Sequence, residues 1–135
     1  MTKKDYQVLM HIDKYCDRIN DTVIRYGNDY NTFYNDLDYF DSIGMKILQI
    51  GELTTNLSDD FRSSNTDIEW HQIKRMRNVY AHEYGKIDYE RVWYTINTKI
   101  PELSSFCKNS IDEYEQNIEV DEILSLSEPE DDIEM

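Results

Sequence analysis

Apolar residues recur at steps of three and four along most of the first 111 positions, and this periodicity constrains the fold most. The first run comprises Val8, Leu9, Ile12, Tyr15, Cys16, Ile19 and Val23. The second comprises Phe33, Leu37, Phe40, Ile43, Ile47, Ile50 and Leu57. Such spacing places side chains on one face of a helix. The chain has only four glycines and two prolines, too few turn formers for a sheet of many short strands. The sequence therefore predicts an all-α fold.

Two further apolar runs and a set of breaks complete the predicted architecture. The third run comprises Ile68, Trp70, Ile73, Met76, Val79 and Tyr80, and the fourth comprises Val92, Trp93, Ile96, Ile100, Leu103 and Phe106. We expect the first helix to end near Gly27 and the third around His82–Gly85, where Gly85 can adopt a left-handed conformation. Pro101 should kink or restart the last helix, because it lacks an amide donor. The resulting prediction is an up-and-down bundle of four to five helices.

Two glycines of the second run carry a prediction about packing. Gly44 and Gly51 are seven residues apart, close to the apolar stripe of a helix expected to run from about Asn31 to just before Ser58. Together they cost about 2 kcal/mol of helix propensity. Close approach of another helix at these positions would compensate for that cost.

Charge is distributed unevenly and suggests two regions. The net charge is −14, but residues 112–135 contain eleven acidic residues and no Lys or Arg, which leaves 17 acids against 14 bases in residues 1–111. We therefore expect a helical domain over 1–111 and an acidic tail over 112–135, disordered or weakly helical. Because the acidity belongs to the tail, it does not exclude an anionic partner for the domain.

The remaining composition favours a cytoplasmic protein without a metal or a cofactor. Cys16 and Cys107 lie among apolar neighbours without metal-ligand spacing, and we expect both in the core. His11 and His71 are dispersed and form no metal site. No apolar run approaches the ~20 residues of a membrane span, and no signal peptide precedes the first helix.

Residues 74–84 contain the candidate chemistry. Arg77, His82 and Tyr84 form an R-x4-H-x-Y pattern within a basic segment of an otherwise acidic chain. On a straight helix Arg77 and His82 would lie about 140° apart around the axis. They can cooperate if the helix ends by His82, or if a second copy of the chain supplies a facing motif.

These residue types suit RNA cleavage. A histidine with a pKa near its ordinary ~6.5 can accept the 2′-hydroxyl proton or protonate the leaving 5′ oxygen. An arginine fork can bind the non-bridging oxygens of the transition state. This chemistry requires no metal and leaves a 2′,3′-cyclic phosphate. Asn78 is in place to orient His82 or to contact a phosphate.

Structural roles explain the same residues. His82 in the last helical turn would complement the helix dipole, and Arg77 would pair with Glu83 or Glu52. A solvated helix face accounts for the basic segment about as well as RNA binding does. Tyr84, where the chain leaves the helix, is a natural position at which a covalent modification would block the site.

An ordered set of short segments resembles the HepT-type toxins of the HEPN superfamily. The segments are ILQIGE at 47–52, LSDDFR at 57–62, IEWHQI at 68–73, MRN at 76–78, AHEY at 81–84, ID at 87–88, VW at 92–93 and IPEL at 100–103. The resemblance covers residues 5–107 and is strongest through 43–104. Glu83 stands where Asp is more usual, and the acidic tail falls outside the resemblance.

This resemblance implies a homodimeric HEPN-like bundle with a metal-independent endoribonuclease site in the cleft between subunits. Arg77 and His82 match the catalytic pair, and Asn78 matches the usual polar residue after the arginine. The resemblance also implies the toxin of a type VII-like pair, whose antitoxin is a minimal nucleotidyltransferase that adenylylates the motif tyrosine, here Tyr84. Toxin and antitoxin would form a hetero-oligomer. The alternative is a non-catalytic HEPN subunit that only binds such a nucleotidyltransferase.

The acidic tail has two interpretations. It could fold back on the basic segment and compete with RNA, or engage the antitoxin. A solubilising extension is the simpler interpretation.

Overall fold

The computed structural model describes residues 1–126, and these residues form helices joined by short turns. The α-helices are α1 (Lys3–Tyr26), α2 (Tyr30–Asn35), α3 (Leu37–Thr54), α4 (Asp59–Ser64), α5 (Trp70–His82), α6 (Tyr89–Tyr94) and α7 (Ile100–Leu126). A 3₁₀ turn, Tyr84–Lys86, follows α5, and a π-helical turn, Thr95–Lys99, joins α6 to α7. No strand occurs within residues 1–126. The predicted all-α fold is confirmed.

The core lies between α1, α3, α5 and α7. Helix α1 packs against α3 and α7, and α3 packs on its other side against α5. The fully buried residues include Leu9, Ile12, Cys16, Ile19, Phe33, Tyr39, Phe40, Ile43, Ile50, Val92 and Cys107. Apart from Tyr39 and Cys107, they come from the first, second and fourth predicted apolar runs, and the third run contributes the buried Tyr80. Both cysteines are buried and free, as their apolar surroundings predicted.

The helix starts and ends follow from their capping residues. Thr2 and Asp5 form a capping box at the start of α1, and Gly27 ends that helix with a φ of 112°. Asp88 caps α6 through the amides of Glu90 and Arg91. Gly85 was expected to be left-handed, but it lies in the 3₁₀ turn, and Gly27 has the one positive φ angle among residues 1–126.

The second apolar run was expected to form one helix, and the structure divides it at Asp36. The Asp36 side chain accepts hydrogen bonds from the amides of Asp38 and Tyr39, so it caps a new helix at Leu37. The break turns Leu37 outward, leaving it 64% exposed. The chain therefore starts a new helix at the Asp36 cap, although the apolar spacing continues through it.

Pro101 restarts the last helix, as predicted. In the π-helical turn that precedes it, the amide of Ile100 donates to the carbonyl of Thr95. Helix α7 begins at Ile100, which places Pro101 in its first turn, where a missing amide donor costs nothing. The wider π turn therefore accommodates the proline without an unsatisfied carbonyl inside α7.

Helix α7 extends beyond the predicted domain boundary at residue 111. Residues 112–126 continue the helix, and residues 127–135 of the predicted tail lie outside the described residues. Tyr114 stacks on Tyr6 with the ring centroids 4.4 Å apart, close to the start of α1. After Tyr114 every described residue of α7 is exposed. Within residues 1–126, no helix has both the length and the apolar character needed to cross a membrane.

Candidate active site

Helix α5 carries most of the motif and lies very close to α3 at two glycines. A Cβ atom on Gly44 would fall 2.7 Å from Cδ1 of Tyr80, and one on Gly51 would fall 2.5 Å from Cγ of Arg77. Both separations are too short for any larger residue. We call these four residues the glycine seam. The prediction that another helix approaches Gly44 and Gly51 is confirmed.

Arg77 is held by three neighbours. Its aliphatic stem lies on Gly51, and its Nη2 forms an ion pair with the carboxylate of Glu52, the next residue of α3. Its Nη1 donates to Oδ1 of Asn78 at 2.9 Å. Its Nε is buried and has no hydrogen-bond partner among residues 1–126. The pairing with Glu52 that the sequence allowed is therefore present, whereas Glu83 does not pair with Arg77.

His82 is the last residue of α5 and is exposed to solvent. The amide of Glu83 donates the last helical hydrogen bond, to the carbonyl of Val79 at 2.8 Å, and the helix ends there because Glu83 has φ −132° and ψ 38°, outside the α-helical region. Of the two arrangements considered for cooperation with Arg77, the structure contains the first. Within residues 1–126 no hydrogen bond joins the two side chains. The last-turn position also matches a histidine that complements the helix dipole.

Tyr84 begins the 3₁₀ turn after α5, and its ring is 49% exposed. The ring packs edge-on against Phe40 with centroids 5.6 Å apart. Its hydroxyl donates to Oδ1 of Asp41, on α3. This hydrogen bond, with partial desolvation, raises the pKa of Tyr84 to about 12. Sequence reasoning missed Asp41, because it lies 43 residues before Tyr84 and only the fold joins them.

Four exposed cations lie near the motif in sequence, and we call them the basic surface: Lys74, Arg75, Lys86 and Arg91, of which Arg75 and Arg91 also line a small groove between α5 and α6. No ion pair within residues 1–126 engages any of them. Unpaired exposed cations are available to phosphate groups, and their contribution to binding would fall with salt. The surface near the motif can therefore attract an anionic polymer.

A cavity of about 530 Å³ opens on another side of α5, facing α6 and α7. Its apolar lining includes Ile68, Ile73, Met76, Ile100 and Leu103. Neither Arg77 nor His82 contributes to it. Its charged lining has five acids (Asp67, Glu69, Asp88, Glu90 and Glu102) against two bases (Arg91 and Lys99), so it does not suit a phosphodiester. In the described part of the chain, no three His, Cys, Asp or Glu residues cluster so that they could hold a metal ion.

The fold places the chain in the class of all-α helical bundles, with the candidate residues Arg77 and His82 on one helix. A family model described as "HepT-like: Ribonuclease HepT-like" matches residues 12–110. The chain belongs to this family, which confirms the resemblance found in the sequence. Ribonuclease activity is the function that this membership supports.

Curated relatives carry names of the same kind. "Putative RNase MJ1380" of Methanocaldococcus jannaschii is 24% identical over 112 residues, which are 76% of this chain and 94% of that protein. "Putative RNase TTE0752" of Caldanaerobacter subterraneus subsp. tengcongensis is 39% identical over 44% of this chain and 53% of its own. "Probable ribonuclease HepT" of Thermococcus cleftensis is 35% identical over 40% of this chain and 49% of its own. No solved structure matches the chain significantly.

Proposed function

We propose that the chain is the endoribonuclease toxin of a two-component pair and that Arg77 and His82 are its catalytic residues. The observation that carries the proposal is the end of α5 at His82, which leaves an exposed imidazole five residues beyond Arg77, whose guanidinium is held by Glu52 and Asn78. Membership of a ribonuclease family supports the same activity. RNA and ATP are both available in the cytoplasm, where we place the protein.

In the proposed mechanism, His82 assists attack of the 2′-hydroxyl on the adjacent phosphorus or protonates the leaving 5′ oxygen. Arg77 binds the non-bridging oxygens as negative charge develops on them. Asn78 supports this role because its side-chain oxygen already accepts a hydrogen bond from Arg77. The products are a 2′,3′-cyclic phosphate and a free 5′-hydroxyl, and the mechanism uses no metal.

We propose that the active form is a homodimer. One imidazole cannot act as base and acid in the same step, and a two-fold axis near the end of α5 would bring a second His82 to the same cleft. The exposure of His82 and of the basic surface leaves this end of α5 free for such a contact.

Regulation would occur at Tyr84. A minimal nucleotidyltransferase antitoxin would transfer AMP from ATP to the tyrosine oxygen: the new bond forms at the α-phosphorus, pyrophosphate leaves and the phenolic proton is lost. The product carries added bulk and a negative phosphodiester two residues beyond His82. The exposure of the Tyr84 ring supports this assignment. Mass spectrometry of the chain coexpressed with the antitoxin should find added AMP, and Tyr84→Phe should abolish the addition.

The test of catalysis is His82→Ala, measured as RNA cleavage with a chelator present. General acid–base catalysis contributes about 10²- to 10⁴-fold to the rate, so the cleavage rate should fall by at least about 100-fold. The helical circular dichroism spectrum should not change, because His82 is exposed. His71→Ala is the matched control, since His71 is also an exposed histidine of α5. Undiminished cleavage by His82→Ala would exclude the proposed mechanism.

A non-catalytic binding subunit is the second candidate, and the ion pair between Arg77 and Glu52 favours it, because this pair already satisfies part of the guanidinium. It predicts a tight complex with the nucleotidyltransferase and no RNA cleavage by the unmodified chain. Cleavage by the purified, unmodified protein decides between the two candidates.

A further inference from the structure

The guanidinium of Arg77 has five N–H donors in a planar fork, and the fold already assigns several of them. One on Nη2 faces the carboxylate of Glu52, and one on Nη1 faces the amide oxygen of Asn78. The Nε–H is buried. One N–H therefore remains on each terminal nitrogen, and a phosphate could use both.

The rest of the side chain has little freedom. The Cβ and Cγ atoms of Arg77 rest on Gly51, so the stem cannot move toward α3. Glu52 follows Gly51 directly, and its Oε1 contacts Nη2 of Arg77. Gly51 thus sets the position of the stem, and Glu52 sets the rotation of the guanidinium plane.

The ion pair is not needed for stability. The side chains of Arg77 and Glu52 are 30% and 53% exposed, and exposed pairs of this kind contribute about 0–1 kcal/mol. A fixed orientation is worth more to catalysis, because a catalytic group displaced by about 1 Å can lose about 100-fold in rate.

We propose that Glu52 is a positioning residue for the ribonuclease reaction. Its carboxylate holds the Arg77 guanidinium so that the two remaining terminal N–H groups face the scissile phosphate. The proposal rests on the proposed function. Glu52 itself does not touch RNA, since its charge would repel the phosphate, and it acts only through Arg77.

The experiment compares Glu52→Ala and Glu52→Gln with wild type in steady-state cleavage of a labelled mixed-sequence oligoribonucleotide. We expect kcat of Glu52→Ala to fall about 10- to 100-fold, with KM changed less than about threefold and the thermal midpoint nearly unchanged. Glu52→Gln should retain more activity, because its amide oxygen can still accept from Nη2.

Glu69→Ala is the matched control. Glu69 is also 53% exposed and also forms an ion pair, with Lys99, away from the motif. Its removal should leave kcat unchanged.

An equal or higher kcat in Glu52→Ala would overturn the proposal, because the carboxylate would then be inert or would compete with RNA. A rise in KM with unchanged kcat would also overturn it. If the wild-type protein does not cleave RNA, both the ribonuclease function and this proposal are overturned. If the wild type cleaves RNA, His82→Ala does not and Glu52→Ala cleaves like wild type, this proposal alone is overturned.

Discussion

Gly51→Ala is the substitution that tests the glycine seam most directly. An alanine Cβ at this position would lie 2.5 Å from Cγ of Arg77, whereas ordinary van der Waals contact begins at 3.4 Å. The obstructing atoms belong to the stem of Arg77, close to the α5 backbone, so they cannot swing away. Because Cβ of Arg77 is among these atoms and no change of rotamer moves it, α5 must shift away from α3 by about 1 Å and carry Arg77 with it.

The expected loss of stability is small. Alanine favours a helix interior over glycine by about 1 kcal/mol, and overpacking typically costs about 1–3 kcal/mol. The net destabilisation is therefore about 0–2 kcal/mol. The expected loss of activity is larger, about 100-fold in kcat, because the catalytic guanidinium is displaced by about 1 Å.

The assay combines thermal denaturation with steady-state RNA cleavage. The matched control is Gly44→Ala, the same change in the same seam, which presses on the ring of Tyr80 instead of Arg77. We expect a similar loss of stability in Gly44→Ala and a smaller loss of kcat. If Gly51→Ala cleaves like wild type, or if both variants lose the same activity, the reasoning about the position of Arg77 is wrong.

Three further predictions concern side chains outside the catalytic pair. Asp5 is buried, and although burial alone would raise its pKa, hydrogen bonds from Ser58 and Thr2 lower it. Its contribution to stability is therefore present above the unfolded-state pKa near 3.8 and is lost as the pH falls through the lower folded-state pKa. In urea unfolding, Asp5→Asn should lower the free energy of unfolding by about 2 kcal/mol at pH 7 and by less near pH 2. Equal stability of the variant and wild type at pH 7 would contradict this. Asp41→Asn should lower the pKa of Tyr84 from about 12 toward its ordinary ~10 in an ultraviolet titration referenced to Tyr84→Phe, and an unchanged titration would refute the carboxylate's role. Burial raises the pKa of Cys16 to about 12, so a thiol reagent should modify it only after unfolding, and fast modification of the native protein would show that the core is open.

Most of the helical fold was predictable because helix formation depends on local spacing. Three of the four apolar runs supplied buried faces of the bundle, the third packed half-buried against them, and Gly27 and Pro101 acted where their local chemistry predicted. The errors were also local. Asp36 capped a new helix inside an apolar run, and Gly85 took a 3₁₀ conformation that requires no positive φ.

The candidate site was recognisable from sequence only as a set of residues. Arg77, His82 and Tyr84 were identified by spacing and residue type, and their roles stay proposals. The sequence left open whether Arg77 would pair with Glu52 or Glu83, because both lie within reach of a flexible side chain. Packing on Gly51 decided the choice, since it directs the stem of Arg77 along α3.

The sequence by itself determined where the helices lie, that two glycines would admit a second helix, and which residues could perform acid–base chemistry. Only the tertiary structure decided that Glu52 orients the guanidinium of Arg77 and that Asp41 binds the hydroxyl of Tyr84. The physical reason is that apolar periodicity and capping act within a few residues, whereas these two contacts join α3 to the α5 region across at least 24 intervening positions. Such contacts exist only after the bundle has assembled.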